Sequence, residues 1–175
     1  IRLVHLGDLH VERTTARERR VNALLHALQP DVIVFSGDFV NINYRNDARA
    51  EADIRSLLAE WNAPLGMFAV PGTPLVEPLP RVRAFVRGAP SITLLLNEWT
   101  TILTPAGSLH VAGLITTHDL ALTAIADEFG GAIPCAPYVD NEGDHIGQAI
   151  LAHRTQAPAI LLGNQEGVQV VVAVT

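Results

Sequence analysis

Two short apolar runs, each breaking at a glycine–aspartate pair, constrain this chain more than any other feature. Residues 2–7 read Arg-Leu-Val-His-Leu-Gly and lead into Asp8; residues 31–36 read Asp-Val-Ile-Val-Phe-Ser and lead into Gly37-Asp38. Runs this short, apolar and rich in β-branched residues are the pattern of buried strands. Between them, residues 14–28 place Val21, Leu24, Leu25 and Leu28 at helical spacing, with Thr14 or Thr15 as N-cap and Pro30 just past the end. Residues 49–61 repeat the pattern with Ile54, Leu57, Leu58 and Trp61, and residues 66–70 form a third apolar run stopped by Pro71-Gly72. Strand, helix, strand, helix, strand implies parallel pairing through crossovers. The expected fold class is α/β, a layered sandwich whose central sheet is largely parallel in the N-terminal half.

The texture then changes. Residues 73–80 hold three prolines and read as a loop, followed by a short helix over 80–87. Strands are expected at 92–96 and 99–103, with a turn at 105–107 returning into a strand at 109–114. Residues 120–129 read as a helix stopped by Gly130-Gly131, residues 133–138 as an extended stretch, and residues 144–153 as a helix. The last strands fall at 159–162 and 168–174. A length of 175 residues suits one α/β domain, with a junction expected near residues 119–121.

Composition removes several classes of function. All 12 basic residues are arginine, so a lysine nucleophile, a Schiff base and a P-loop lysine are excluded. The net charge is -6 with no basic cluster, which argues against a nucleic-acid partner. No apolar run approaches the roughly 18 residues of a membrane span. The first residues lack the layout of a signal peptide, so a cytoplasmic location is expected. One cysteine, Cys135, leaves no internal disulfide.

The chemistry gathers at the strand ends. In an open α/β sheet, ligands collect beyond the carboxyl ends of the strands. Asp8 and His10 are two residues apart, so an extended tip points both side chains the same way. A carboxylate and an imidazole together suit a divalent metal. Asp38 ends the second strand, and neighbouring strands lie about 4.8 Å apart, so it can stand beside Asp8. Either aspartate alone reads equally well as a cap or loop carboxylate. Both at consecutive strand ends, with a histidine two residues on, favour a metal site.

These stretches resemble the calcineurin-like metallophosphoesterase superfamily. The resemblance rests on Leu3-Val4-His5-Leu6-Gly7-Asp8-Leu9-His10, on Pro30-Asp31-Val32-Ile33-Val34-Phe35-Ser36-Gly37-Asp38 and on Gly66-Met67-Phe68-Ala69-Val70-Pro71-Gly72. It extends more loosely to about residue 119, through Leu109-His110-Val111-Ala112-Gly113-Leu114. It implies a metal-dependent phosphoesterase acting on a small phosphoester, with one or two divalent ions (Mn, Fe or Zn). Asp8 and His10 would hold one ion, and Asp38 would bridge both. The family's third motif, Gly-Asn-His-Asp or Glu, is absent. Thr73 follows Gly72 where the metal-binding Asn is expected, and Pro74 stands where the catalytic His is expected. Proline can neither ligate a metal nor donate a proton, so the implied activity is weak or degenerate. For the last two motifs, His153 stands for a lone catalytic His, and Asn164 and Glu166 take the two His positions of Gly-His-x-His as oxygen ligands.

A second resemblance covers residues 120–165, which look like a fragment of the class II aldolase and ribulose-phosphate 4-epimerase family. It is carried by residues 132–138, 143–147 and 157–164. Gln165 stands where that family places a zinc-binding His. A chimera, or a sequence with segments missing, would join two such pieces. The alternatives to a phosphoesterase are therefore a catalytically silent α/β scaffold or a fragment related to sugar-phosphate aldolases and epimerases. Among the other polar residues, His118-Asp119 is read as a loop pair, His5 and His110 as structural, His26 as a surface residue and Cys135 as an inert thiol.

Overall fold

The computed structural model describes residues 1–89, 91–96, 98–105 and 107–115, together with the backbone of strands over 135–139, 145–150, 159–165 and 168–174. Four parallel strands form the first sheet in the order β1-β2-β3-β4: β1 (Leu3–Leu6), β2 (Val32–Phe35), β3 (Met67–Ala69) and β4 (Ile92–Leu94). They are joined by helices α1 (Ala16–Leu28), α2 (Ala48–Ala59) and α3 (Leu79–Val86). The three expected N-terminal strands are present and mutually parallel. A second sheet, in the order β10-β9-β6-β5, contains β5 (Glu98–Thr104), β6 (Gly107–Ile115), β9 (Ala159–Gln165) and β10 (Val168–Val174). β7 (Cys135–Val139) and β8 (His145–Ile150) form an antiparallel pair.

Side-chain alternation decides the layering. Along β2, Ile33 and Phe35 join a core with Leu25 of α1, Ile54, Leu57 and Leu58 of α2, and Val82 and Phe85 of α3. Val32 and Val34, one residue out of phase, face the other way and pack with Phe68, Ile102 of β5, and Leu109 and Val111 of β6. The parallel sheet is thus covered by helices on one face and by the second sheet on the other. That explains why all four residues of β2 are apolar and buried. Gly113 of β6 is closely covered: a Cβ there would stand 2.3 Å from Leu95 Cβ, 2.8 Å from Val70 Cγ1 and 2.9 Å from the Leu95 carbonyl oxygen.

Helix starts follow the capping chemistry. Thr15 is the N-cap of α1 and forms a capping box with Glu18, whose carboxylate accepts from the Thr15 amide at 2.8 Å. Asp47 caps α2, accepting from the Arg49 and Ala50 amides. Pro78 precedes α3, and Pro80 sits in its first turn.

One expected element is overturned. Residues 144–153 read as a helix, but residues 145–150 form β8 and pair with β7. Ile146 and Ile150 satisfy both a four-residue and a two-residue period, so spacing alone could not separate helix from strand. Gly147 costs a helix about 1 kcal/mol, and the β7 partner decides the matter. The expected helix over 120–129 and the junction near 119–121 lie outside the described residues. Among the described residues, no helix is long and apolar enough to cross a membrane.

Candidate metal centre

The chain continues past β1 and β2 without losing register. The His10 amide donates to the Asp38 carbonyl at 2.9 Å, the Val11 amide donates to the Phe39 carbonyl at 2.8 Å, and Val11 and Val40 form a parallel bridge. The two loops carrying the aspartates therefore run side by side at the carboxyl end of the parallel sheet. Their backbone is unusual. Asp8, His10 and Asp38 all have positive φ, at 53°, 42° and 60°, and Gly37 has φ 90°. Such conformations cost a non-glycine residue roughly 1–3 kcal/mol each and persist where the surroundings fix them.

This conformation turns the three side chains together. Asp8, His10 and Asp38 each offer one donor atom, and the three atoms lie within 4.8 Å of one another. His10 Nε2 stands 3.4 Å from Asp8 Oδ1. Asp8 and His10 are about half exposed, whereas Asp38 is only 3% exposed, so solvent reaches the cluster from the Asp8–His10 side. Two carboxylate oxygens and an imidazole nitrogen are a donor set for a borderline divalent ion such as Mn, Fe or Zn. Donors at right angles around bonds of 2.0–2.6 Å stand about 3 Å apart or slightly more. The donors, spread over up to 4.8 Å, would draw inward on binding, and the donor types fit one such ion.

Supporting contacts hold this arrangement from behind. The Thr73 amide donates to Asp38 Oδ1 at 3.2 Å, and the Thr73 hydroxyl lies 3.4 Å from the same oxygen. Arg17 donates to the Leu9 carbonyl at 2.5 Å while also bonding Glu18, which ties the Asp8–His10 loop to the start of α1. Gly37 and Gly72 pack back to back: a Cβ on Gly37 would lie 2.5 Å from the Gly72 nitrogen. Only glycine fits there, and at Gly37 the positive φ adds a second reason.

Sequence reasoning missed one residue. Glu77 is 1% exposed and lies behind the Asp38 turn. Its carboxylate accepts from the Val40 amide at 2.8 Å and from the Gly72 amide at 3.1 Å. Burial pushes its carboxyl up to about 7; the Val40 amide pulls the other way and the neighbouring Asp38 charge adds to the rise. A signal was available: Glu77 is the only charged residue between Glu60 and Arg81.

The other expected site residues divide as follows. Pro74 is exposed and supplies no ligand. Asn164 lies in β9, which runs three residues beyond the expected strand end, and its backbone pairs with Gln169 and with Ile115. His153, Glu166, His118 and Asp119 lie outside the described residues. His5 hydrogen-bonds Ser36 Oγ at 2.9 Å, and burial lowers its pKa. His110 lies 2.9 Å from Thr101 Oγ1 and edge-on to Trp99. Both contacts agree with structural roles.

Comparison with known proteins gives the same N-terminal picture. Residues 1–72 match the calcineurin-like phosphoesterase family. The chain is 34% identical over 74 residues to the UDP-2,3-diacylglucosamine pyrophosphatase LpxG of Chlamydia muridarum (strain MoPn / Nigg), and 35% identical over 74 residues to that of Chlamydia trachomatis serovar D. Each alignment covers 41% of this chain and 22% of the relative, so the match spans about a fifth of the relatives' length. A solved crystal structure that is 15% identical covers 85% of this chain and 76% of its own, with a TM-score of 0.50, a likeness of fold alone.

Proposed function

We propose that this chain carries the metal-holding part of a divalent-metal-dependent phosphoester or phosphoanhydride hydrolase. The convergence of Asp8, His10 and Asp38 supports this reading most directly. It occurs at the strand ends of a segment that matches the calcineurin-like phosphoesterases. In the proposal, Asp8 and His10 hold an ion on the solvent side and Asp38 holds it from the buried side. Thr73 fixes the orientation of the Asp38 carboxylate. When bound, a divalent ion supplies phosphoryl polarisation and an acidified water.

Pro74 narrows the substrate class. It offers no proton to a leaving group, and such a donor is typically worth about 10²- to 10⁴-fold. The leaving group of a phosphoanhydride is itself a phosphate, which departs without a donated proton. A pyrophosphate link thus suits these residues better than an alkyl ester. The two relatives are UDP-2,3-diacylglucosamine pyrophosphatases, an activity of the same class. Pro74 is also the observation favouring the second reading, a catalytically silent α/β scaffold.

The two readings separate in one pair of measurements. Thermal melts with Mn²⁺ at about 100 times its dissociation constant should show about 2.7 kcal/mol of stabilisation. Asp38→Asn should lose that shift together with any metal-dependent hydrolysis of a nucleoside diphosphate ester. Equal melts with and without Mn²⁺ would leave only the scaffold. Hydrolysis that survives in Asp38→Asn would place the chemistry elsewhere.

A further inference from the structure

We propose that Glu77 is a positioning residue for the metal centre, fixing the Asp38 turn by clamping two loops with one buried carboxylate. This rests on the metal-binding reading above. Asp38 is held in a left-handed conformation, and the residue before it, Gly37, is left-handed too. On one side the turn is held by the Asp8–Val11 loop, whose amides donate to the Gly37, Asp38 and Phe39 carbonyls. The Val40 amide, two residues beyond Asp38, donates into Glu77 Oε1, and the Gly72 amide donates into Glu77 Oε2. One carboxylate therefore ties the loop after β2 to the loop after β3.

The geometry leaves little freedom. A Cβ on Gly72 would stand 2.6 Å from Glu77 Oε2, and the next amide along, that of Thr73, is the donor that orients Asp38 Oδ1. Displacing the carboxylate shifts Gly72, and with it the Thr73 donor. At the other end it releases Val40, whose strand bridge to Val11 keeps the two metal-bearing loops in register. Glu77 thus acts on both sides of Asp38 and is not one of the three converging donors. A carboxyl group is required because two amide donors converge on it, one on each oxygen. A carboxamide accepts through one oxygen and turns an N–H₂ toward the second amide.

The test is Mn²⁺ affinity, read by loss of the free-ion electron paramagnetic resonance signal on titration, for the full chain. Glu77→Gln and Glu77→Asp are compared with wild type and with Ile54→Val. Ile54 lies in the helix-side core, so its truncation lowers stability away from the loops. Groups that orient metal ligands typically set affinity by 10- to 100-fold. The expected result is therefore at least about tenfold weaker Mn²⁺ binding in whichever Glu77 variant keeps the wild-type circular dichroism, with Ile54→Val binding as wild type. Wild-type affinity in a folded Glu77 variant would overturn this proposal alone. So would equal weakening in Ile54→Val, because the effect would then be one of general stability. No Mn²⁺ binding by wild type would overturn the metal reading itself and this proposal with it.

Discussion

Glu77 also makes an equilibrium prediction that needs no metal. Its carboxyl has an ordinary value of 4.5 and is pushed up to about 7 in the folded chain, chiefly by burial. Below pH 4.5 it is protonated in both states. As pH rises from 4.5 to 7, the unfolded chain releases the proton while the folded chain keeps it. The unfolded state then binds fewer protons, so stability falls with rising pH. The contribution is fully present below pH 4.5 and is lost as pH passes through about 7. At 1.36 kcal/mol for each pH unit between those two values, the loss is about 3 kcal/mol. A domain has roughly 5–15 kcal/mol in all, so this is a large change.

The His5 shift overlaps this window, and the Glu18 shift lies below it. Thr15 and Arg17 bonds hold Glu18 at about 2 against its burial, so its contribution is lost only as pH falls from 4.5 toward 2. Burial lowers His5, which makes stability rise with pH below 6.5 and opposes the Glu77 slope. The measurement is therefore a difference. Urea midpoints of wild type and Glu77→Gln are taken from pH 4.5 to pH 8, and both background groups cancel in the comparison. The wild-type advantage over Glu77→Gln should shrink by about 3 kcal/mol across that range. A constant difference would refute the argument, because it would mean that Glu77 titrates alike in folded and unfolded chains.

Two further outcomes follow from the same geometry. Gly72→Ala should cost about 3 kcal/mol or more and weaken Mn²⁺ binding, since its Cβ would meet Asp38 and Glu77. Gly113→Ala, which crowds Val70 and Leu95 between the sheets, should cost about 1–3 kcal/mol and leave Mn²⁺ affinity unchanged; urea melts and Mn²⁺ titration of both variants check the contrast. With Pro74 offering no proton, metal-dependent hydrolysis should be measurable on nitrophenyl phosphate and near background on an alkyl phosphate. Steady-state rates on both esters decide this, and robust alkyl-ester turnover would require a donor outside the residues described, with His118 and His153 the first to substitute.

The parts of this structure that were legible in the sequence are those written in local periods. Residues 32–35 are apolar on both faces because β2 is covered by helices and by a second sheet, and that double burial is what a continuous apolar run encodes. The convergence of Asp8, His10 and Asp38 was legible for a related reason: they stand at or just past the points where such runs stop, and parallel neighbours bring those points together. The helix expected over 144–153 failed because a spacing of four serves both periods, and only a non-local partner resolved it. Glu77 was hidden by a different cause. Gly37 and Gly72 each read as terminators of their own strand, which is a local role. Their back-to-back approach exists only because β2 and β3 are neighbours, and that approach opens the slot in which one carboxylate reaches amides on both loops. Val40 and Glu77 are 37 residues apart, and no period spans that distance. A residue with such a role leaves a compositional trace instead. A lone charge in an apolar, proline-rich loop is costly to bury unless several donors converge on it, and Glu77 meets the amides of Val40 and Gly72, with that of Phe39 also acting on it.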